Sequence, residues 1–107
     1  MEVNSSQIIK GNLEACVLKL ISCKDMYGYE VTQYLTKFGL DNVAQGTIYP
    51  LLLKLEKENL ITSYLKESME GPPRKYYKIT NDGLFFIEQF KTEWEKIKNS
   101  IDKILNI

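Results

Sequence analysis

The sequence has no histidine, and its two cysteines, Cys16 and Cys23, lack the spacing of paired metal ligands. A metal site is therefore not expected. A glycine-rich phosphate loop, a Gly-x-Ser-x-Gly elbow and paired carboxylates in an evident cleft are also missing. These absences argue against an enzyme, and no cofactor is predicted.

Long apolar runs and an excess of one charge are missing too. No stretch of 18 apolar residues occurs, which argues against a membrane partner, and the first residues do not resemble a signal peptide. The expected location is cytoplasmic. Lys and Arg number 14, as do Asp and Glu, so the formal net charge is zero. A DNA-binding protein of this composition must concentrate its positive charge locally.

The two cysteines lie seven residues apart in an apolar helical pattern and so share a helix face. The expectation is that both are buried structural thiols, because free cysteine is among the most buried residue types. A redox-sensing pair is the alternative. Two helical turns would separate the Cα atoms by about 10 Å, too far for a disulfide within one chain.

Helical periodicity predicts four helices, at residues 8–22, 29–38, 46–59 and after Thr80. Proline is tolerated in a first helical turn, so Pro50 requires the third helix to start near residues 45–47. Thr80 is a suitable N-cap for the last helix. The buried stripes are expected to contain Val31, Tyr34, Leu35 and Phe38 in the second helix, and Ile48, Leu51, Leu52 and Leu55 in the third.

Two antiparallel strands are predicted at residues 60–66 and 74–79, joined by a loop at 67–73 that is too long for a tight turn. Residues 25–28 are predicted to be a break between helices. The fold class is therefore mainly α with a small two-stranded wing, namely a winged helix-turn-helix plus a C-terminal dimerisation helix. The expected division is a DNA-binding domain at residues 1–80 and the dimerisation helix at 81–107.

The third predicted helix carries residues suited to DNA contact. A recognition helix uses residues near its N-terminus to contact base edges and phosphates, and its first backbone N–H groups attract anions. A threonine suits a phosphate oxygen or a thymine methyl, and a tyrosine hydroxyl can donate to a phosphate. The alternative is a solvated face with a tyrosine packed on its neighbour. The candidate residues of this helix are Gln45, Gly46, Thr47, Tyr49, Pro50 and Lys54.

Local positive charge comes from the second predicted strand. Three of the five residues from Arg74 to Lys78 are basic and none is acidic. Strand alternation turns Lys75 towards the core and Arg74 and Tyr76 to the other side, with Lys66 across the ladder. A guanidinium suits a phosphate or a narrow minor groove. The alternative is an edge strand that its lysines protect from aggregation.

The last helix has a heptad pattern of apolar residues at spacings of 3, 4, 3, 4 and 3, typical of a coiled-coil seam. A helix of about 25 residues spans nearly 40 Å, more than a small domain needs, so its distal half is expected to pair with a second copy. The alternative is a helix folded back on its own domain. The predicted dimer-interface residues are Ile87, Phe90, Trp94, Ile97, Ile101 and Ile104.

Several sequence segments, in their order along about residues 10–84, resemble the PadR family of bacterial transcriptional regulators. The matching segments are residues 11–18, 27–31, 46–52, 55–56 and 71–80, together with Gly83. The Gly-Thr-Ile-Tyr-Pro segment from residue 46 and the Arg-Lys-Tyr-Tyr segment from residue 74 are the most specific. The resemblance implies a winged helix-turn-helix dimer, mostly a repressor and often released by a small molecule.

The resemblance also implies roles for individual residues. The helix that begins with Gly-Thr-x-Tyr-Pro enters the major groove in that family, and Tyr29 is expected near a phosphate. The single last helix resembles the short type, some of which bind flat aromatic compounds beside an interface tryptophan. Trp94 is placed similarly, although it could simply pack the interface. The implied DNA contacts are Thr47, Tyr49, Pro50, Arg74, Lys75 and Tyr76.

The leading functional prediction is a homodimeric repressor of a pseudo-palindromic double-stranded DNA operator, with a small aromatic effector as a further hypothesis. The alternatives are a winged-helix module that binds protein and not DNA, or a ligand sensor with secondary DNA activity. The discriminating feature is whether Lys54, Arg74 and Lys75 cluster on one face with the start of the third helix.

Overall fold

The computed structural model describes residues 11–41, 43 and 45–107. These residues form helices α1 (Leu13–Cys23), α2 (Gly28–Lys37), α3 (Gln45–Lys57) and α4 (Asn81–Leu105). Their strands are β1 (Met26–Tyr27), β2 (Ile61–Ser68) and β3 (Gly71–Ile79). The predicted winged helix-turn-helix with an added helix is confirmed. Residues 8–10 of the predicted first helix lie outside the described residues.

The sheet has three strands rather than the predicted two, in the order β1-β3-β2, all antiparallel. The additional strand is β1, where Met26 pairs with Tyr77 and Tyr27 with Tyr76. The sequence predicted only a break here, because two residues are too few to show alternation. Its pairing fixes the start of α2 against the wing.

The hairpin between β2 and β3 turns more tightly than predicted. Ser68 pairs with Gly71, so Met69 and Glu70 alone form the turn, and the predicted loop at 67–73 is wrong. The prolines at 72 and 73 suggested a loop because proline cannot donate to a ladder. They lie instead where the pairing register of β2 and β3 is irregular. The wing therefore extends further as paired strand.

The core lies where the first three helices meet the sheet. Buried side chains come from all of these helices and from both long strands, and Met26 of β1 joins them. Phe38, predicted in the buried stripe of α2, is instead 73% exposed at the end of that helix. The central buried residues are Val17, Leu18, Ile21, Val31, Leu35, Ile48, Leu52, Leu55 and Ile61.

The third helix begins at Gln45, as the proline argument requires, but Pro50 lies in its second turn rather than its first. Because proline has no N–H, the carbonyl of Gly46 lacks its usual donor four residues on. Both residues are exposed, so solvent can reach the carbonyl. The helix accepts the proline because its opposite face, with Ile48 and Leu52, is fully buried.

The start of α4 is fixed against the sheet. Thr80 caps the helix as predicted, since its hydroxyl accepts the Gly83 N–H at 3.0 Å. The same hydroxyl lies 3.0 Å from the carbonyl oxygen of Leu60. A Cβ at Gly83 would overlap that carbonyl and lie 2.5 Å from the Ile79 side chain, so the close approach requires glycine.

The fourth helix leaves the domain after its first turns. Ile87, predicted at a dimer interface, is only 7% exposed and belongs to the core of its own chain. This burial accompanies the contact between α4 and α1. Residues 91–105 of the helix are all exposed.

The cysteines differ from the prediction. Cys16 is half-buried and its pKa is raised by that burial, whereas Cys23 is exposed at the end of α1. Both are free thiols. The expectation that both are buried is therefore wrong for Cys23.

Among the helices formed by residues 11–41, 43 and 45–107, none has the length and apolar character of a membrane span.

Candidate nucleic-acid interface

The N-terminal part of α3 presents an exposed surface. Its buried stripe, Ile48, Leu52 and Leu55, anchors the helix in the core and leaves the opposite face free. The structure thus brings the predicted contact residues of the helix start together in solvent. They are Gln45, Gly46, Thr47, Tyr49 and Pro50, all exposed.

Tyr49 is held by contact with α2. Its ring lies against Gly28 so closely that a Cβ on this glycine would lie 2.6 Å from the Cε1 atom of Tyr49. The side chain is 47% exposed, so one part of the ring packs on α2 and the rest is open. The tyrosine therefore both joins the two helices and remains free to contact a ligand.

The start of α2 carries the next part of the surface. Tyr29 is about half exposed, and its ring stacks on that of Tyr27 at 6.5 Å between centroids. The Tyr27 backbone N–H donates to the Glu30 carboxylate at 3.3 Å, which closes the first turn of the helix. The position of Tyr29 is thus fixed by the local geometry of the helix start.

Lys54 is engaged within the chain. Its Nζ lies 2.6 Å from Oε1 of Glu14 on α1, and this hydrogen bond raises the pKa of the lysine. The ammonium is thus directed along α1 and is partly neutralised. Sequence reasoning missed Glu14 because it lies 40 residues from the lysine.

The inner face of the wing, which faces α3, holds a second paired lysine. Lys75 donates to Glu56 of α3 at 3.1 Å, and Ser63 of β2 donates to the same carboxylate. The hydrogen bond from Ser63, assisted by Lys75, lowers the pKa of Glu56. This contact ties the wing to α3.

The outer face of the wing holds two cations that form no ion pair with any residue the structure describes. Arg74 lies over the ring of Tyr27, with its guanidinium carbon 4.6 Å from the centroid. Lys66 lies over the ring of Tyr76, with Nζ at 5.1 Å. Arg74 and Lys75 therefore lie on opposite faces of the wing, as strand alternation predicted. Lys54, Arg74 and Lys75, whose clustering was the discriminating feature, do not share one face.

The outer face is built on a row of four tyrosines, which sequence reasoning did not recognise. We call Tyr29, Tyr27, Tyr76 and Tyr64 the tyrosine row. Neighbouring centroids in it are 6.5, 5.4 and 5.9 Å apart. The number of tyrosines, seven in 107 residues, was the available signal, but their proximity depends on the pairing of β1 with β3.

The exposed part of α4 carries an apolar stripe. The rings of Phe86, Phe90 and Trp94 stack along the helix, with successive centroids 6.5 Å apart. Beyond them Ile97, Ile101 and Ile104 are 51%, 47% and 65% exposed. Five of the six predicted interface residues thus form one partly or fully accessible face, without Ile87.

Within the described part of the chain, no group of three or more His, Cys, Asp or Glu side chains is arranged to hold a metal ion.

The family profile described as "Transcriptional regulator PadR-like family" matches residues 17–89. The chain belongs to the PadR-like family. The matched region runs from α1 into α4 and so includes the wing and the exposed face of α3. The family consists of transcriptional regulators that bind DNA, not of enzymes, which agrees with the prediction from the missing catalytic motifs.

Solved structures of PadR-like regulators share this fold. A PadR-like transcriptional regulator from Bacillus cereus strain ATCC 14579 is 46% identical, with a TM-score of 0.83 over 92% of this chain and 96% of that one. A PadR family transcription regulator from Clostridium difficile R20291 is 34% identical, with a TM-score of 0.80 over 89% and 99%. An uncharacterised protein of Lysinibacillus sphaericus is 35% identical over 91% of both chains.

Proposed function

We propose that this PadR-like chain is a homodimeric repressor that binds a pseudo-palindromic operator. The observation that carries the proposal is the exposed start of α3, whose Tyr49 packs on α2, together with exposed Tyr29 on α2 and exposed Arg74 and Lys66 on the wing. Such a surface offers one helix to the major groove and two cations to the adjacent backbone. Residues 1–80 act as the DNA-binding domain, and the protein works in the cytoplasm, where a bacterial chromosome lies.

Dimerisation is assigned to residues 81–107, through the apolar stripe of α4. Isolated exposed apolar residues are ordinary, but a row of isoleucines following Trp94 at heptad spacing is typical of a helix that pairs. A two-fold axis would place two copies of α3 about 34 Å apart, one turn of DNA. The operator is therefore expected to contain two inverted half-sites at that spacing.

Selection from a random duplex library tests this function. The full chain is incubated with duplexes that carry a randomised central region, and bound DNA is amplified over several rounds. We expect enrichment of an inverted repeat whose half-sites lie about ten base pairs apart. A failure to enrich any sequence would contradict the proposal.

Failure to enrich any duplex would favour the alternative function, a module that binds protein. One specific observation supports this alternative. The chain is neutral overall, and Lys54 and Lys75 are both paired with glutamates. The attraction for phosphates is thus confined to a few side chains.

A flat aromatic effector is a further part of the proposal. Trp94 is the only tryptophan, stacks on Phe90 and is partly exposed, so its fluorescence reports directly on the proposed binding place. Planar aromatic compounds are expected to quench this emission saturably and to release the operator. Unchanged emission at high dye concentration would contradict the effector hypothesis and leave the operator hypothesis standing.

A further inference from the structure

Two positive charges lie directly opposite each other on the wing. Lys66 of β2 and Arg74 of β3 are cross-strand partners on the outer face. Like charges in this position repel and destabilise a hairpin. Among the residues that the structure describes, no carboxylate forms an ion pair with either. The wing thus keeps an uncompensated charge pair.

The charges are held by aromatic rings instead of carboxylates. The Arg74 guanidinium lies on Tyr27 and the Lys66 ammonium on Tyr76. These two rings are themselves in contact, with centroids 5.4 Å apart. A ring face attracts a cation without neutralising it. Both side chains are therefore restrained while keeping their full charge for a ligand.

One acidic residue near Tyr27 is already hydrogen-bonded within the chain. Asp25, two residues before Tyr27, accepts the Tyr64 hydroxyl at 2.6 Å. This hydrogen bond is the main reason why the pKa of Tyr64 is raised. At one end of the tyrosine row, Tyr64 thus binds the Asp25 carboxylate. The two central rings, those of Tyr27 and Tyr76, lie under the cations.

The position of Lys66 and Arg74 indicates which ligand they would bind. Tyr27 precedes Gly28, against which the ring of Tyr49 packs. The ring under Arg74 thus belongs to the residue next to the glycine that holds Tyr49 of α3. The backbone of a duplex bound at the start of α3 is the anion that we expect these two cations to meet.

We propose that Lys66 and Arg74 together bind one phosphate of the DNA backbone, with Tyr27 and Tyr76 as positioning residues. The inference rests on the proposed function and identifies the part of the wing that carries it. The phosphate relieves the repulsion between the two cations, which the free protein tolerates. The rings reduce the freedom that both long side chains lose on binding.

The role of the rings is tested by measuring operator affinity for Tyr27→Leu, Tyr27→Phe and Arg74→Ala. We expect Tyr27→Leu to weaken binding about two- to fivefold, the range of an exposed cation–π contact, and Tyr27→Phe to restore most of the loss. Arg74→Ala should cost less in the Tyr27→Leu background than in the wild type. Equal losses for the leucine and phenylalanine variants would overturn the positioning role.

Tyr34→Leu is the matched control. Tyr34 also lies under two lysines, Lys24 at 5.1 Å and Lys37 at 5.7 Å, but on α2 and outside the tyrosine row. We expect it to leave operator affinity within about twofold of the wild type. A loss equal to that of Tyr27→Leu would show a general effect of removing tyrosine and would overturn the inference.

The sharing of one phosphate is tested by the salt dependence of binding. Either Lys66→Ala or Arg74→Ala leaves one cation on the phosphate, so the slope of log K against log salt should stay near the wild-type value. The double variant should lose about 1.8, because the dimer carries the pair twice and each shared phosphate contributes about 0.9. A loss of about 3.6 would mean two separate phosphates in each half-site and would overturn the shared binding of one phosphate.

The two proposals fail differently. If the wild type enriches no duplex, the proposed function itself is wrong and the inference fails with it. If the wild type binds its selected operator but Tyr27→Leu binds as tightly, only the inference is wrong. Unchanged melting temperatures for the variants exclude a general loss of fold as the cause.

Discussion

Single side chains decide how much positive charge this surface presents to DNA. Lys54 and Lys75, both expected to contact DNA, are paired with Glu14 and Glu56. Arg74 and Lys66 keep their charge because rings rather than carboxylates hold them. The neutral chain therefore confines its attraction for DNA to a small area. Weak bulk attraction favours binding that depends on the correct sequence.

Replacement of Gly28 by alanine should displace Tyr49. The new Cβ would lie 2.6 Å from the Tyr49 ring, which must move because Gly28 is buried in α2. We expect a loss of operator affinity of about 1 kcal/mol, comparable to the loss of one good contact. Fluorescence anisotropy measures this loss.

The control removes the side chain of Tyr49, which the new Cβ would overlap. Tyr49→Ala and the double variant Gly28→Ala/Tyr49→Ala should bind equally weakly, because no ring remains to be displaced. A double variant much weaker than Tyr49→Ala would show that Gly28 acts through something other than Tyr49.

Glu56 should make the stability of the wing depend on pH. Its folded-state pKa is lowered, mainly by the Ser63 hydroxyl and then by Lys75, so the folded state favours the ionised form. The stabilisation is present above the ordinary glutamate pKa of about 4.3 and is lost as pH falls through the lower folded value. Glu56→Gln removes it at every pH.

Urea unfolding from pH 7 to pH 3 provides the measurement. The difference in unfolding free energy between wild type and Glu56→Gln should be greatest near pH 7 and should shrink towards pH 3. A difference that is constant across this range would argue against the ionised contact.

At the scale of elements, the junction between α4 and the sheet depends on one glycine. Gly83→Ala would bring a Cβ against the Leu60 carbonyl and the Ile79 side chain. We expect a destabilisation of about 1–3 kcal/mol, as for other overpacked sites, seen as a lower melting temperature.

Gly46→Ala is the matched stability control, because a Cβ there meets no atom within 4 Å in the described structure. It should stabilise α3 by about 0.5–1 kcal/mol, the ordinary difference between the two residues in a helix. If both substitutions changed stability equally, close packing at Gly83 would not be the cause.

The helices and strands also show how much of the structure could be predicted from the sequence. Periodicity was sufficient for the helices, and Thr80 marked the start of α4 because capping is a local interaction. Strand β1 was missed because its two residues depend on β3, about 50 residues later. Glu14 and Glu56 were missed for the same reason, since a long-range ion pair leaves no local pattern. Residue types at the site were predictable, but their partners were not.

On the scale of the whole molecule, the long axis measures 56 Å, while the other two measure 32 and 20 Å. The distal part of α4 is exposed, and its isoleucines, Ile97, Ile101 and Ile104, lie outside the core cluster. A helix of this kind gains stability chiefly by burying its apolar face against another surface. The proposed two-fold operator requires a dimer. We therefore propose that this apolar face packs against the same face of a second copy.

Ile101→Lys should weaken the dimer. It places a charge at the middle one of the three exposed isoleucines, where pairing would bury it without a partner. We expect a dissociation constant raised by at least tenfold in sedimentation experiments, with little change in the helix content of the monomer. Asn99→Lys adds the same charge to the opposite side of α4 and should leave the dimer intact. Equal association of the two variants would contradict the assignment of the seam.

The most direct measurement is fluorescence anisotropy of the selected duplex and of a scrambled duplex of equal composition, each at two salt concentrations. We predict that two chains bind one selected duplex, at least a thousandfold more tightly than the scrambled one, and that affinity falls steeply with salt. Equal affinity for both duplexes, or a complex of one chain per duplex, would contradict a dimeric sequence-specific regulator.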